Sequence, residues 1–310
     1  MAFSPANLAD ALGRGLLSFP LTFFDAADAF DEAGYRAHVE RQGRAGASGL
    51  FAAGGTGEFF SLTLEEYGRV VRAAAQEMPD TVPLLAGVGY GTHMAIEFAR
   101  AAEANGADGL LVLPPYLVNS EQEGLRRHLT AICKSVGIGV IAYNRDNAIL
   151  SADTLARIAD DCPNLIGLKD GVGNIELLTT LRYRMADRLI FIGGMPTAEV
   201  HASAAAAIGM TTYSSAIYNF APEAALGFFN AMRDGRKADA DKMIRDFFLP
   251  YLAIRNRRAG YAVSIVKAGA RIAGINCGNV RSPLTDLTAS EEQELAALMA
   301  SCGMPVKART

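Results

Sequence analysis

The chain has 310 residues, half of them apolar and a fifth charged, with a formal net charge of −4 at pH 7. This composition is typical of a globular protein and offers none of the basic surface that nucleic-acid binding requires. No apolar run is long enough to span a bilayer, and the first residues lack the pattern of a signal peptide. The scattered cysteines favour reduced thiols and a cytoplasmic location; they are Cys133, Cys162, Cys277 and Cys302.

Short apolar runs recur along the first two thirds of the chain, at a spacing of roughly 25 to 30 residues. Helical patterns separate these runs, and Thr63 and Ser151 are the predicted N-terminal caps of two of the helices. This alternation predicts repeated strand–helix units and a parallel sheet. The predicted strands cover residues 16–21, 49–53, 82–88, 109–113, 139–143, 165–169, 189–193 and 210–215.

Eight such units within about 220 residues fit a (β/α)8 barrel better than an open, doubly wound sheet. No strand pattern follows, and helices are predicted at residues 223–233, 238–254, 261–273 and 290–300. We therefore predict an α/β fold with two regions. A (β/α)8 TIM barrel with a short N-terminal lead-in covers 1–221, and a C-terminal helical extension packed on the barrel covers 222–310.

One lysine is placed differently from the others in the chain. Lys169 ends the sixth apolar run, where a buried parallel strand would deliver its side chain to a pocket. A desolvated lysine has a lowered pKa, so its neutral amine can attack a ketone and form a Schiff base. The alternative is a lysine that reaches out to solvent from a strand end. Lys267, the competing amine, falls in a helical pattern and is interpreted as a lysine on a helix face.

A glycine-rich loop and a tyrosine accompany Lys169. Residues 54–58, Gly-Gly-Thr-Gly-Glu, follow the second strand, and their amides could hold a carboxylate, although an ordinary tight turn would look the same. Tyr143 ends the fifth strand, and the carboxyl ends of neighbouring barrel strands share one mouth. A phenol there could transfer protons to a nearby imine, and a buried structural tyrosine is the alternative.

Two other signals are weaker. Residues 87–91, Gly-Val-Gly-Tyr-Gly, place the third glycine too early for a dinucleotide-binding turn. The four histidines have no metal-ligand spacing, so no metal site and no metal-dependent lyase are predicted. They are His38, His93, His128 and His201.

With these motifs in place, the chain resembles the dihydrodipicolinate synthase / N-acetylneuraminate lyase family from about residue 16 to about residue 302. The resemblance rests on the loop at 54–58, the Tyr-Asn pair at 143–144 and Gly-Leu-Lys-Asp at 167–170. It implies a (β/α)8 barrel, a homo-oligomer (dimer or tetramer) and a Schiff base between Lys169 and a 2-keto acid. Tyr143 would transfer protons, and Gly54, Gly55 and Thr56 would hold the keto-acid carboxylate.

Departures from the synthase pattern concern the substrate. Leu117 stands in place of the second of two tyrosines, and Ala148 stands where synthases carry an arginine. Arg145 lies two residues past Tyr143 instead. The segments around these residues, with 192–197 and 212–216, resemble members of the family that remove water and carbon dioxide from a keto sugar diacid.

That resemblance implies substrate contacts from Asn144, Arg145, Gly194 and Ser214. Arg145 could hold the distal carboxylate or form a loop salt bridge with an aspartate. The expected partner is a small keto sugar diacid, with no nucleic acid or membrane. No cofactor is expected, because the protein imine is itself the electron sink. The alternatives are a pyruvate-forming aldolase for 2-keto-3-deoxy sugar acids and a catalytically silent ligand-binding member.

Overall fold

The computed structural model describes residues 3–307 and contains one sheet of eight parallel strands in sequential order. A parallel bridge between Leu17 and Ser214 joins the last strand to the first, which closes the sheet into a barrel. The predicted TIM barrel is thus confirmed. The strands are β1 Leu17–Ser18, β2 Gly49–Ala52, β3 Leu84–Val88, β4 Gly109–Val112, β5 Gly139–Asn144, β6 Leu165–Asp170, β7 Ile190–Gly193 and β8 Thr212–Tyr213.

Helices follow the strands, and two of the predicted caps are confirmed. The Thr63 side chain accepts a hydrogen bond from the Glu66 amide in a reciprocal capping box, and the Ser151 hydroxyl accepts from the Thr154 amide. The helices are α1 Pro5–Leu12, α2 Glu32–Arg44, α3 Leu64–Glu77, α4 Thr92–Ala104, α5 Gln122–Cys133, α6 Ala152–Asp161, α7 Ile175–Met185, α8 Ala202–Ala207, α9 Pro222–Arg233, α10 Lys237–Met243, α11 Leu249–Arg255, α12 Tyr261–Ile272 and α13 Ala289–Ser301. None of those in residues 3–307 is long and apolar enough to cross a membrane.

The N-terminal lead-in forms α1, which closes the bottom of the barrel. Leu8 is fully buried and packs against the starts of β4 and β5. Gly109 and Gly139 begin these strands, and an added Cβ at either position would lie within 2.9 Å of the Leu8 side chain. With this end filled by side chains, the cavity that remains open lies at the carboxyl ends of the strands.

The helix predicted at 238–254 is interrupted. A π-helical segment, Ile244–Phe248, separates α10 from α11. Pro250 has no N–H, so the Asp246 carbonyl lacks its usual helical donor, and it accepts a contact from Cys302 Sγ at 3.5 Å instead. The π-helical segment thus lies where Pro250 prevents a regular α-helical pattern of hydrogen bonds.

The division of the chain into two regions stays a prediction, and its ends at residues 1–2 and 308–310 lie outside the described part. In the structure α9 follows β8 as the earlier helices follow their strands, and Phe229 of α9 packs its ring 5.7 Å from that of Tyr213 in β8. We therefore propose that the barrel includes α9 and that the C-terminal region begins after Arg233.

Candidate active site

The carboxyl ends of β5 and β6 place Tyr143 beside Lys169. The two residues are register partners in the parallel ladder, so their side chains enter the barrel mouth together. Lys169 is buried, and its Nζ lies 4.0 Å from the centroid of the Tyr143 ring. Both groups donate hydrogen bonds to the Gly194 carbonyl, Lys169 at 3.3 Å and Tyr143 at 3.0 Å. One backbone oxygen therefore orients an amine and a phenol.

Gly194 must lack a side chain for this arrangement to form. A Cβ built on it would lie 2.5 Å from Lys169 Nζ and 2.7 Å from the Asp170 carbonyl oxygen. Contacts this short do not occur between real Cβ atoms and backbone. The glycine after β7 thus leaves the space that the Lys169 amine occupies.

Burial lowers the pKa of Lys169, because an apolar environment disfavours the charged ammonium. The nearby Tyr143 opposes this shift and the Arg145 guanidinium adds to it. A lowered pKa increases the fraction of neutral amine, which is the form that attacks a carbonyl carbon. The environment of Lys169 is thus suited to imine formation.

The pKa of Tyr143 is also lowered. Burial alone would raise it, but the positive charges of Lys169 and Arg145 outweigh burial and favour the phenolate. The Arg145 Nη1 atom donates to the Tyr143 oxygen at 3.2 Å. A phenol whose ionised form is stabilised in this way can give and take a proton more readily than an ordinary tyrosine.

The glycine-rich loop forms the opposite wall. Gly55 and Thr56 line a cavity of about 250 Å³ that also contains Lys169 and Tyr143. Gly54 does not line it, because it packs against Phe19, where an added Cβ would lie 2.4 Å from the ring. The loop therefore offers Gly55 and Thr56, but not Gly54, to a bound carboxylate.

Glu58 anchors this loop from behind. Its side chain is completely buried and forms an ion pair of 2.7 Å with Lys267 of α12, which is equally buried. The second carboxylate oxygen accepts the Arg281 amide at 2.8 Å. Lys267 lies on a helix, as the sequence indicates, but on the buried face of α12, and this amine does not line the cavity around Lys169.

Asn144 does not contact the cavity either. Its side chain is fully buried, and its Oδ1 accepts the Leu150 amide at 3.1 Å. Successive side chains of a strand point to opposite faces, so Tyr143 and Arg145 share one side and Asn144 takes the other. The structure thus gives Asn144 a role in holding the loop after β5, in place of the predicted contact with substrate.

Arg145 and Ser214 do line the cavity, as does Gly194. The Arg145 guanidinium forms an ion pair with Asp146 at 3.2 Å, in addition to its bond to Tyr143. Both side chains of this pair are partly exposed, at 34% and 54%. The proposed loop salt bridge is therefore present, and an incoming carboxylate would compete with a solvent-screened aspartate.

Among the cavity residues that the sequence analysis did not propose as site residues are Thr197, Ser215, Tyr251 and Arg255. Arg255 ends α11 and donates to the Thr197 hydroxyl at 2.7 Å. Within residues 3–307, no three or more acidic, histidine or cysteine side chains are grouped in a way that could hold a metal ion. In the same part of the chain, no carboxylate forms an ion pair with Arg255. The C-terminal region thus contributes a second guanidinium to the cavity.

Comparison with known proteins places the chain in a family. Residues 13–301 match the dihydrodipicolinate synthetase family. The chain belongs to that family. The membership expected from the sequence motifs is thus confirmed, and it covers the barrel together with helices α9 to α13.

Relatives within this family share more than half of the sequence. A protein of Rhizobium rhizogenes is 56% identical over 295 residues, which cover 95% of this chain and 96% of the relative. One of Pseudomonas entomophila is 55% identical over 300 residues, covering 97% of this chain and 98% of the relative. Both are named probable 5-dehydro-4-deoxyglucarate dehydratase.

Solved structures of the family share the fold. Dihydrodipicolinate synthase from Bacillus clausii superposes with a TM-score of 0.87 at 25% identity, covering 96% of this chain and 99% of that one. A prophage protein of the same family from E. coli K12, in complex with pyruvate, superposes with a TM-score of 0.83 at 25% identity, covering 94% and 98%.

We expect Tyr143→Phe to fold normally and to lose about 10²- to 10⁴-fold in kcat, because it keeps the ring over Lys169 but removes the proton-transfer group. Tyr183→Phe is the matched control, since this tyrosine of α7 is 82% exposed. Steady-state kinetics of both variants, with thermal unfolding as the folding check, measure the difference. A Tyr143→Phe enzyme as active as the control would show that the hydroxyl is structural.

We expect Lys267→Met to lower the free energy of unfolding by about 3 to 5 kcal/mol, because it leaves the Glu58 carboxylate buried without its partner. The double variant Lys267→Met/Glu58→Gln should recover much of this loss, since the neutral amide needs no counter-charge. Urea unfolding of the three proteins gives the comparison. Equal stability of the wild type and Lys267→Met would mean that the ion pair does not anchor the loop.

Proposed function

We propose that this protein is a Schiff-base-forming lyase that converts 5-dehydro-4-deoxy-D-glucarate to 2,5-dioxopentanoate, water and carbon dioxide. The observation that carries the proposal is the buried Lys169 amine, held with Tyr143 on the Gly194 carbonyl. The sequence identity of about 55% with the dehydratases named above, over nearly the full length of both chains, supports the substrate.

The chemistry begins at the lysine. The neutral Lys169 amine adds to the substrate ketone, and loss of water gives a protonated imine. The positive nitrogen acidifies the adjacent methylene, since the electron pair of the broken C–H bond moves toward it. The resulting enamine expels the β-hydroxyl as water and leaves a conjugated iminium.

The conjugated iminium then withdraws electrons from the far end of the substrate. The bond to the distal carboxyl carbon breaks, carbon dioxide leaves, and the electron pair passes through the conjugated system to the imine nitrogen. Protonation and hydrolysis of the imine release the keto acid with an aldehyde at its new end. Because Lys169 provides the electron sink, we propose that the reaction uses no separate cofactor.

The two ends of the diacid are matched by different groups. The Gly55 and Thr56 loop lies opposite Lys169 and is suited to the carboxylate next to the ketone, because backbone amides bind anions. Arg145 and Arg255 line the same cavity and are suited to the distal carboxylate. Two guanidinium groups there would offset the cost of desolvating a dianionic substrate.

We also propose that the enzyme is a cytoplasmic homo-oligomer, a dimer or tetramer. The loop after β4 supports association, because Leu117 is completely exposed and the neighbouring Val118 is 54% exposed. Exposed apolar side chains next to one another favour a protein contact. Sedimentation equilibrium of the purified protein gives the number of subunits.

We expect borohydride with the sugar diacid to add mass irreversibly at Lys169 and at no other lysine, and Lys169→Ala to abolish turnover. Mass spectrometry of digested protein locates the adduct, and assays for carbon dioxide and pyruvate identify the reaction. Lys237→Met is the control, because this lysine of α10 is 82% exposed and the variant should still be labelled at Lys169. Release of pyruvate without carbon dioxide would instead identify an aldolase, and absence of an adduct with any keto acid would identify a silent binding protein.

We expect Arg145→Ala and Arg255→Ala each to raise the KM for the sugar diacid by about 10- to 100-fold, because a charge-assisted bond to a carboxylate contributes roughly 1.5 to 3 kcal/mol. Arg145→Lys should rescue only part of the loss, since it lacks the planar fork.

Pyruvate, which has no distal carboxylate, is the control ligand for these variants. The concentration of pyruvate that gives half-maximal borohydride trapping should hardly change. If an arginine variant weakens trapping of both compounds equally, that arginine does not bind the distal end.

A further inference from the structure

A buried carboxyl group lies directly behind the cavity wall. Glu199, in the 3₁₀ turn Ala198–His201 after β7, is 1% exposed. Its Oε1 accepts a hydrogen bond from the Ser215 hydroxyl at 2.5 Å, and its Oε2 has no hydrogen-bond partner among the described residues. Ser215 itself lines the cavity that contains Lys169. Ser215 therefore links this acid to the wall of the cavity.

No basic group forms an ion pair with Glu199 within residues 3–307. Burial raises its pKa to about 7, while the Ser215 hydrogen bond and the more distant Arg255 charge act in the opposite direction. The carboxyl is therefore mostly protonated below neutrality, so it holds a proton that it can give away.

The other ionisable groups around Glu199 do not neutralise it. The Tyr213 hydroxyl is buried without a hydrogen-bond partner, and Glu199 raises the pKa of that phenol, as burial does. The remaining ionisable groups on elements next to the turn are Tyr251 and Arg255 on α11, the paired Arg245 and Asp246 on the π-helical segment, and His201 on the turn itself.

Resting on the proposed function, we propose that Ser215 protonates the β-hydroxyl that leaves as water and that Glu199 supplies this proton through Ser215. Hydroxide is a poor leaving group, so elimination needs an acid at the departing oxygen. Tyr143 is held on Gly194 beside the imine nitrogen, whereas the β-hydroxyl lies further along the substrate. Ser215 follows β8 and reaches the cavity from another side.

The proton transfers balance. As the bond between the β-carbon and its oxygen breaks, the Ser215 proton moves to that oxygen and the Glu199 proton moves to Ser215. The enamine electron pair forms the new carbon–carbon double bond, the nitrogen becomes an iminium, and water leaves. Glu199 is left ionised and then takes up one proton. This uptake balances the proton that the methylene lost earlier.

The test compares Glu199→Gln and Ser215→Ala with the wild-type enzyme and with Glu176→Gln, an exposed control on α7. Glutamine keeps the size of Glu199 and the acceptor for Ser215 but holds no transferable proton. Steady-state kinetics between about pH 6 and pH 9 are combined with borohydride trapping and intact-protein mass, and thermal unfolding checks each variant.

We expect both variants to form the Lys169 adduct at the wild-type level, with KM within about threefold and kcat reduced about 10²-fold or more. The trapped adduct should retain the β-hydroxyl and so be one water heavier than the dehydrated adduct. Wild-type kcat should fall as pH rises through about 7, where Glu199 ionises, and Glu199→Gln should lack this decline.

Equal kcat in Glu199→Gln, Ser215→Ala and the control would overturn the proposed proton transfer from Glu199 through Ser215. A yield of the Lys169 adduct that falls in proportion to turnover would overturn it as well. If Glu199→Gln does not fold, Ser215→Ala decides by the same criteria. A wild-type enzyme that forms no product from the sugar diacid would contradict the proposed function instead, so the two failures are distinguishable.

Discussion

The buried ion pair between Glu58 and Lys267 is the contact on which the active site depends. Two charges removed from water are tolerated only when they are paired and hydrogen-bonded, and here both side chains are completely buried. Because Glu58 ends the glycine-rich loop and Lys267 belongs to α12, the pair joins a wall of the cavity to a C-terminal helix. The C-terminal helices therefore help to form the cavity and are not only a cover for the barrel.

Positive charge is concentrated around the cavity and affects more than binding. Lys169, Arg145 and Arg255 all line it, and the arginine nearest the lysine lowers the pKa values of both Lys169 and Tyr143. The positive charge that would attract a dianionic substrate thus also favours the neutral form of the Lys169 amine and the ionised form of the Tyr143 phenol. Behind the cavity wall, burial raises the pKa of Glu199 to about 7, and the Ser215 hydrogen bond and the Arg255 charge oppose this shift. We propose that substrate affinity and proton transfer both depend on this distribution of charge.

Much of this site follows from the sequence, because buried parallel strands have a recognisable pattern and adjacent strand ends must meet. That reasoning brings Tyr143 to Lys169 correctly. It fails for Asn144. The resemblance of the Tyr-Asn pair to the family motif suggested a substrate contact, whereas the alternation of side chains along a strand turns Asn144 away from the cavity. Arg255 and the partner of Lys267 could not be predicted, since helical periodicity indicates which face is buried but not what it packs against. Ser215 lies in a segment that carries the resemblance, but its contact with Glu199 could not be predicted, because that contact depends on the path of two loops.

The contact between Glu58 and the Arg281 amide joins residues 223 positions apart, and this has a consequence for protein synthesis. Strands β1 to β8 leave the ribosome before α11 and α12 do, so a growing chain has Lys169 before it has Arg255 or Lys267. Its glycine-rich loop then lacks the anchor that Lys267 and the Arg281 amide provide. The wall of the cavity that this loop forms is thus fixed only after Arg281 has been made.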